Sequence, residues 1–441
     1  MRNTVLLAAI FLLTHASAQK RTLESFLNNV PGLYYKKISV PDGFKTAYEI
    51  FIEQPLDHKN PERGSFLQKL YLSHRDFTLP VVFVTEGYDC PSNYIGEVTL
   101  LLNANQLQAE HRYFGKSIPD TMNYSFLNLE QATADLHRIN HIFKELYSGN
   151  WVSTGISKGG QTTLYYRYFY PEDVTVSIPY VAPFNLSVED KRIYTFLDTV
   201  GSAECRDNIK KFQRLVLQKR DSILPIMQNY SYETGYEFTF LTLEKAFEYS
   251  VLEYPFSFWQ WGYDCSLIPE EGSSVEQIIV HLLTVSDIGF FSDGEMEKFS
   301  SHYYQAATEM GYYGYRAACF DTLIKTFSEE KNPLATFPPN MMDAEYDSTL
   351  ALNALAWLKS YGNNIVYIYG TVDTWSATAI QPSGETNSVW FFLNSRNHGD
   401  ARIRNMLPDE LKFLAETLGH WLNMEVDTSL LQKRNKQLQL D

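Results

Sequence analysis

The sequence predicts an α/β fold built on a mostly parallel sheet that a long helical insertion interrupts. Short apolar runs, such as residues 79–89, are typical of parallel strands buried on both faces. They alternate with amphipathic segments such as residues 127–147, which predicts βαβ crossovers. Between about residues 190 and 339 the chain becomes helix-like and rich in aromatic residues. We therefore expect one sheet domain formed by residues 19–189 and 340–441, with residues 190–339 as a helical cap domain.

The predicted elements of the sheet domain follow one another in a simple order. The first two strands are separated by the turn-rich segment "QPLDHKNPERG". Beyond the cap, two strand-like segments and an amphipathic helix close the domain. The predicted strands are residues 45–53, 66–72, 79–89, 104–115, 151–154, 363–370 and 388–393, and the closing helix is residues 408–423.

The charge balance limits the class of partner. The 441 residues carry a formal net charge of −15 at pH 7. Binding to nucleic acid needs clustered Lys and Arg, so no nucleic-acid partner is expected, and an uncharged or cationic substrate fits better.

The first residues have the features of a secretory signal peptide. Arg2 precedes an apolar run at residues 5–13, and the small residues "ASA" end at Ala18. We expect cleavage after Ala18 and export of the mature chain to a periplasm or to the medium. The apolar run is too short to span a bilayer, and no later segment is long and apolar enough to do so. A retained anchor is the alternative.

The four cysteines are far apart in the sequence. Cys90, Cys205, Cys265 and Cys319 show no CxxC spacing, so no zinc site is expected. One or two disulfides are compatible with export, but the pairing stays open, and free buried thiols are the alternative.

The segment Gly155-Ile156-Ser157-Lys158-Gly159 matches GxSxG at the junction of a strand and a helix. This is the context of the nucleophile elbow of α/β-hydrolases, in which a strained turn exposes the serine hydroxyl above the sheet. The glycines supply the room that so tight a turn needs. We therefore expect Ser157 to be a catalytic nucleophile, and the alternative is a glycine-rich structural turn.

A serine hydroxyl needs a base, and the base needs an acid that orients it. In this fold the three residues follow the order Ser, Asp, His. Asp373 and His398 each come directly after a predicted strand, so both are expected beside the elbow. The less favoured candidates for the base and the acid are His111, His420, Asp343, Asp347 and Asp400.

The backbone around "TEGYDC" is the second candidate region. We expect the Lys158 N–H, with that of Gly87 or Tyr88, to form the oxyanion hole. Glu86 could hold a substrate ammonium group, which would indicate an aminopeptidase, or it could pair with Arg112. Glu110 and Arg112, two apart on a predicted strand, are expected to form an ion pair that braces the site.

Several motifs resemble one known family. "QPLDHKNPERGSFLQKLYL", "VVFVTEGY", "AEHRYFGKS", "LNLEQATADLHRI" and "GISKGG" are similar to motifs of the bacterial prolyl tri/tetrapeptidyl aminopeptidases. A more distant resemblance joins the chain to Pro-X carboxypeptidase and dipeptidyl peptidase II, which have an aromatic residue in place of Lys158. The resemblance implies an exported serine exopeptidase that cuts after proline near a peptide N-terminus, with Ser157, Asp373 and His398 as its triad.

Catalysis by such a triad needs no metal and no organic cofactor, so none is expected. The partners that the resemblance implies are peptides with proline near the N-terminus. Aromatic runs in the cap, residues 254–265 and 302–316, could pack against a proline ring, although such runs also form ordinary cores. An esterase or lipase of the same fold is one alternative, and an inactive peptide-binding relative is another.

Overall fold

The computed structural model describes residues 22–320, 322–327, 344–429 and 431. The predicted signal peptide, residues 1–18, lies outside the described residues, as do residues 328–339 of the predicted cap.

A nine-stranded sheet is the frame of the described structure. Its spatial order is β1-β2-β3-β5-β4-β6-β7-β8-β9. The first three strands and β5 pair antiparallel, whereas β5, β4 and β6 to β9 pair in parallel, which confirms the predicted α/β-hydrolase fold with its mostly parallel sheet. The strands are β1 (Leu33–Lys37), β2 (Thr46–Pro55), β3 (Ser65–His74), β4 (Val81–Thr85), β5 (Asn105–Ala109), β6 (Trp151–Ile156), β7 (Val176–Tyr180), β8 (Val366–Gly370) and β9 (Val389–Leu393).

Helices cover both faces of the sheet. In chain order they are α1 (Leu23–Leu27), α2 (Glu97–Leu101), α3 (Leu129–Lys144), α4 (Lys158–Phe169), α5 (Arg192–Thr199), α6 (Ala203–Gln218), α7 (Arg220–Thr234), α8 (Leu243–Trp261), α9 (Val275–Val285), α10 (Asp293–Lys298), α11 (Ser300–Gln305), α12 (Thr349–Ser360) and α13 (Pro408–Leu422). A turn of π-helix, Ala306–Met310, continues α11. We call the helices from α5 to this turn, residues 192–310, the helical insertion, since they lie in sequence between β7 and β8.

Local sequence explains why these elements form. All five residues of β4 are buried, as expected of a central parallel strand with helices on both faces. Helix α3 begins after Asn128, whose side chain accepts a hydrogen bond from the Gln131 N–H. Leu136, Ile139 and Phe143, spaced by three and four residues, pack in one apolar cluster with residues of β2 to β5.

The helical insertion has an apolar core of its own. Residues of α6, α8 and α9 pack together in it. A disulfide joins Cys205 in α6 to Cys265, just beyond α8, while Cys90 is a buried free thiol and Cys319 an exposed one. The structure thus assigns the pairing that the sequence left open.

Among the described residues, no helix has both the length and the apolar character that crossing a membrane requires.

Candidate active site

Ser157 occupies a sharp turn between β6 and α4. Its backbone has φ 57° and ψ −123°, a conformation that a non-glycine residue rarely adopts. A Cβ atom built on Gly155 would lie 2.3 Å from the Gly159 oxygen, so only glycine fits there. The turn therefore has the strained strand-to-helix geometry that exposes a nucleophile.

Asp373 and His398 are in direct contact. The Nδ1 atom of His398 lies 3.1 Å from each carboxylate oxygen of Asp373, which is fully buried. The carboxylate also accepts hydrogen bonds from the Trp375 N–H at 3.1 Å and the Ser376 hydroxyl at 3.0 Å. An ionised carboxylate can only accept, so Nδ1 is the donor, and a neutral imidazole then has its lone pair on Nε2.

The three predicted residues lie at one edge of the sheet. Ser157 follows β6, Asp373 follows β8 and His398 follows β9, and these parallel strands all end at the same edge. The structure brings Asp373 and His398 into contact and places Ser157 on their edge. Among the described residues, no hydrogen bond engages the Ser157 hydroxyl, and none joins it to His398.

The helical insertion contacts the loops that carry this pair. The His398 N–H donates to the Gln260 carbonyl at 2.9 Å, and the Thr374 hydroxyl donates to the Phe256 carbonyl at 2.9 Å. The ring of Trp261 meets that of His398 edge to face at 5.9 Å. The C-terminal half of α8 therefore supports the base and the acid, a role that the sequence analysis did not assign.

The predicted oxyanion donors belong to two backbone segments in close contact. A Cβ atom on Gly87 would lie 2.5 Å from the Gly159 nitrogen and 2.6 Å from the Lys158 Cβ. The loop after β4 therefore packs directly on the first turn of α4. In the described part of the chain, the N–H groups of Gly87, Tyr88 and Lys158 have no hydrogen-bond acceptor.

The Lys158 side chain is almost fully buried, with 2% of it exposed. Its Nζ atom donates to the Gly87 carbonyl at 2.6 Å and lies 5.4 Å and 4.8 Å from the ring centroids of Tyr88 and Phe114. Burial lowers the pKa of this ammonium group to about 7. From the sequence, only the backbone N–H of this residue was expected to have a role.

Glu86 lies in the loop after β4. Its carboxylate accepts hydrogen bonds of 2.8 Å from the Tyr94 hydroxyl and from the Gln108 amide. Burial raises the pKa of this carboxyl group above its ordinary value. The alternative that Glu86 pairs with Arg112 is wrong, because Arg112 donates two hydrogen bonds, of 2.7 and 2.8 Å, to the Asp135 carboxylate.

The predicted ion pair between Glu110 and Arg112 is also wrong. Strand β5 ends at Ala109, so the rule that residues two apart share a face no longer applies beyond it. Glu110 instead accepts from the Cys90 N–H, the Lys116 N–H and the Ser117 hydroxyl, with Lys69 at 3.7 Å.

Aromatic side chains of the insertion and of the segment directly after it stack beside the loop of Asp373. Phe256 and Tyr313 stack at 3.8 Å, and the Trp375 ring lies 5.0 Å from Phe256. Behind them, buried Glu253 accepts hydrogen bonds of 2.8 Å from the hydroxyls of Tyr313 and Tyr315. Burial raises the pKa of Glu253 to about 7. The two aromatic runs singled out in the sequence thus contact each other.

The rivals to the predicted triad have other surroundings. His111 is buried, and its Nδ1 donates to the Arg112 carbonyl at 2.8 Å. His420 is exposed on α13, and Asp347 accepts from the Thr349 N–H at the start of α12. Asp400 is exposed close after His398, and Asp343 lies outside the described residues.

One group of side chains in the described residues could hold a metal ion. His137, His141 and Asp173 have ligand atoms within 4.8 Å of one another. Asp173 precedes β7, so the group lies at the sheet edge opposite to Ser157. It has no part in the chemistry of the candidate active site.

One family model matches almost the whole chain. The family described as PS-10 peptidase S37 matches residues 21–426. A prolyl tri/tetrapeptidyl aminopeptidase of Streptomyces mobaraensis is 29% identical over 415 residues, which are 91% of this chain and 85% of the relative. A probable serine protease, EDA2, of Arabidopsis thaliana is 24% identical over 245 residues, 50% of this chain and 48% of the relative. Among solved structures, a proline iminopeptidase of Mycobacterium smegmatis aligns with 84% of this chain and 98% of its own at 10% identity and a TM-score of 0.40.

Proposed function

The chain belongs to the peptidase S37 family of serine peptidases, and on that premise we propose that it is an exported exopeptidase that releases tri- and tetrapeptides from peptide N-termini by cutting after proline. The observation that carries the proposal is the buried Asp373–His398 pair on the same sheet edge as the strained turn at Ser157. The name of the Streptomyces relative supports the choice of prolyl peptides as substrates.

The proposed reaction begins at the Ser157 hydroxyl. His398 Nε2 takes its proton while the oxygen attacks the carbonyl carbon after proline, and Asp373 holds the imidazole in the required tautomer. His398 then protonates the leaving amine, and an acyl-enzyme on Ser157 forms. A water molecule, activated by His398, releases the N-terminal fragment and restores the serine.

The N–H groups of Lys158 and of Gly87 or Tyr88 form the oxyanion hole in this proposal. They have no acceptor within the described residues and lie on segments in contact, as donors to a developing oxyanion must. The N-terminal end of α4 adds a favourable field for negative charge at the same place.

Glu86 binds the substrate ammonium group in this proposal. Its carboxylate is held in the loop after β4, one residue before Gly87. The described residues place no Lys or Arg within 4.0 Å of it, so a cation from the substrate would be its first ionic partner. The net charge of −15 also favours a cationic peptide end over an anionic one.

Export is supported by the sequence features of residues 1–18 alone.

A set of four substrates tests the proposal. The mature chain should hydrolyse a tripeptide p-nitroanilide that ends in proline much faster than the same compound ending in alanine, and faster than a p-nitrophenyl acyl ester of similar length. N-acetylation of the prolyl compound should lower kcat/KM. Equal rates on the prolyl and alanyl compounds would refute the proline specificity, and a preference for the ester would indicate an esterase.

A further inference from the structure

Lys158 is a buried amine without a buried anion beside it. Within the described residues, no carboxylate oxygen lies within 4.0 Å of its Nζ atom, and its one hydrogen bond goes to the neutral Gly87 carbonyl. Two aromatic rings, those of Tyr88 and Phe114, cover the ammonium group. An uncompensated buried charge costs stability, so the fold alone gives no reason for lysine at this position.

The contact joins the two halves of the oxyanion hole. Lys158 is the first residue of α4 and supplies one candidate donor from its backbone. Its side chain reaches back to Gly87, whose own N–H and that of Tyr88 are the other candidates. One residue therefore fixes the distance between the donors of the nucleophile helix and those of the loop after β4.

We propose that Lys158 is a positioning residue. Its side chain holds the loop of Gly87 and Tyr88 against the nucleophile helix, α4, and so sets the geometry of the oxyanion hole. This inference rests on the proposed function, since it assigns a purpose to the same hole. The hydrogen bond holds the Gly87 carbonyl, and the peptide unit that carries this carbonyl also carries the Tyr88 N–H. Holding the carbonyl therefore fixes the direction of that N–H.

The surroundings of the ammonium group keep the contact rigid. The Tyr88 ring packs edge to face on Phe114 at 5.5 Å and on His302 of α11 at 5.4 Å. Burial, with the charge of Lys158 as a smaller cause, lowers the pKa of His302 to about 3 and also lowers the pKa of His111. The Glu309 carboxyl group acts on Lys158 electrostatically, as a smaller cause than burial, and burial raises the pKa of Glu309 to about 8.

The experiment separates oxyanion binding from ordinary substrate binding. A peptide aldehyde ending in prolinal adds to the serine and places an oxyanion in the hole, whereas the matching alcohol, ending in prolinol, binds without doing so. The ratio of their inhibition constants measures how strongly the oxyanion hole binds the oxyanion. It is determined for the wild type, Lys158→Met, which keeps the length of the side chain, and Lys158→Arg, which keeps a donor.

We expect Lys158→Met to lower the aldehyde-to-alcohol preference and kcat by about 10- to 100-fold, the range that a misplaced but present donor produces. The inhibition constant of the alcohol and KM should change less than about threefold. Lys158→Arg should recover part of the loss. The Tm of Lys158→Met should equal or exceed that of the wild type, because the variant removes a buried charge.

Lys69→Met is the matched control. Lys69 is also buried, and its Nζ donates to the Cys90 carbonyl of the same loop, but it pairs with Glu110 at 3.7 Å. Because Lys69 has a purely structural role, Lys69→Met should lower the Tm. It should leave the aldehyde-to-alcohol ratio within about twofold of the wild type.

Labelling by a fluorophosphonate keeps this inference separable from the proposed function. Phosphonylation also places an oxygen in the hole, whatever the natural substrate is. A wild type that is labelled but does not cut prolyl peptides would refute the substrate assignment. Slower labelling of Lys158→Met would still support the positioning role of Lys158. If Lys158→Met keeps the aldehyde preference and the labelling rate of the wild type, that positioning role is wrong, even when prolyl peptidase activity is full.

Discussion

The Nδ1 atom of His398 lies 3.1 Å from both carboxylate oxygens of Asp373, although 25 residues separate the two in the chain. Asp373 is fully buried and 6% of His398 is exposed, so water competes little for this contact. The carboxylate has three donors from protein groups, which fix its orientation. The pair therefore presents the Nε2 atom of the imidazole in one tautomer.

Asp373→Asn should lower kcat by about 10³- to 10⁴-fold, because an amide can donate to Nδ1 and so favour the wrong tautomer. The Tm should change little, since the side chain keeps its shape. Steady-state kinetics on a prolyl p-nitroanilide and a thermal melt measure the two effects. Asp347→Asn is the control, as its carboxylate caps the exposed start of α12, and it should keep wild-type activity.

Ser157→Gly should be more stable than Ser157→Ala by about 1 to 2 kcal/mol. The residue at this turn has φ 57°, a strained value that glycine adopts freely and alanine does not. Urea unfolding of the two inactive variants measures the difference. Equal free energies of unfolding would show that the turn relaxes when the serine is replaced.

Glu86→Gln should lower kcat/KM by about tenfold or more on peptides with a free N-terminus, because an amide cannot pair with an ammonium group. Its hydrogen bonds with Tyr94 and Gln108 limit the change in structure. Activity on N-acetylated peptides should stay at the wild-type level. An equal loss on both kinds of peptide would contradict the role of Glu86 in ammonium binding.

Glu253 should make the stability of the protein depend on pH. Burial raises its folded-state pKa to about 7, above the unfolded value near 4.5, so the folded chain binds more protons between these values. The resulting stability is fully present below pH 4.5 and is lost as the pH rises through 7. Denaturant titrations from pH 4 to pH 8 should show a steeper decline for the wild type than for Glu253→Gln. Taking the difference between the two removes the contributions of other groups, such as Glu309.

The double variant Cys205→Ser/Cys265→Ser should unfold more easily. The bond closes a loop with a sequence separation of 60, which corresponds to about 4 kcal/mol in the chain-entropy model. Cys319→Ser, at an exposed free thiol, is the control and should leave the melting curve unchanged. A double variant with the wild-type curve under non-reducing conditions would show that the disulfide does not form.

The sequence was sufficient for the parts of the site that depend on strand ends. Ser157, Asp373 and His398 each follow a parallel strand, and parallel strands end at one edge of a sheet, so their common location could be predicted. A different rule, that residues two apart on a strand share a face, failed for Glu110 and Arg112, because β5 stops at Ala109 and neither residue lies on the strand.

Contacts between distant segments could not be predicted. The Gln260 carbonyl that binds the His398 N–H lies 138 residues before it, on a helix of the insertion. The Lys158 side chain reaches a carbonyl 71 residues earlier in the chain. Both contacts depend on how complete elements pack, and neither leaves a periodic or local pattern in the sequence.

Fluorophosphonate labelling of the mature chain, followed by peptide mass spectrometry, is the most direct test of Ser157 as the nucleophile and His398 as its base. We expect one phosphonate adduct, on Ser157, with none on Ser157→Ala and at least a hundredfold slower labelling of His398→Ala, since the base must take the serine proton. An adduct on another residue, or labelling of His398→Ala at the wild-type rate, would contradict these roles.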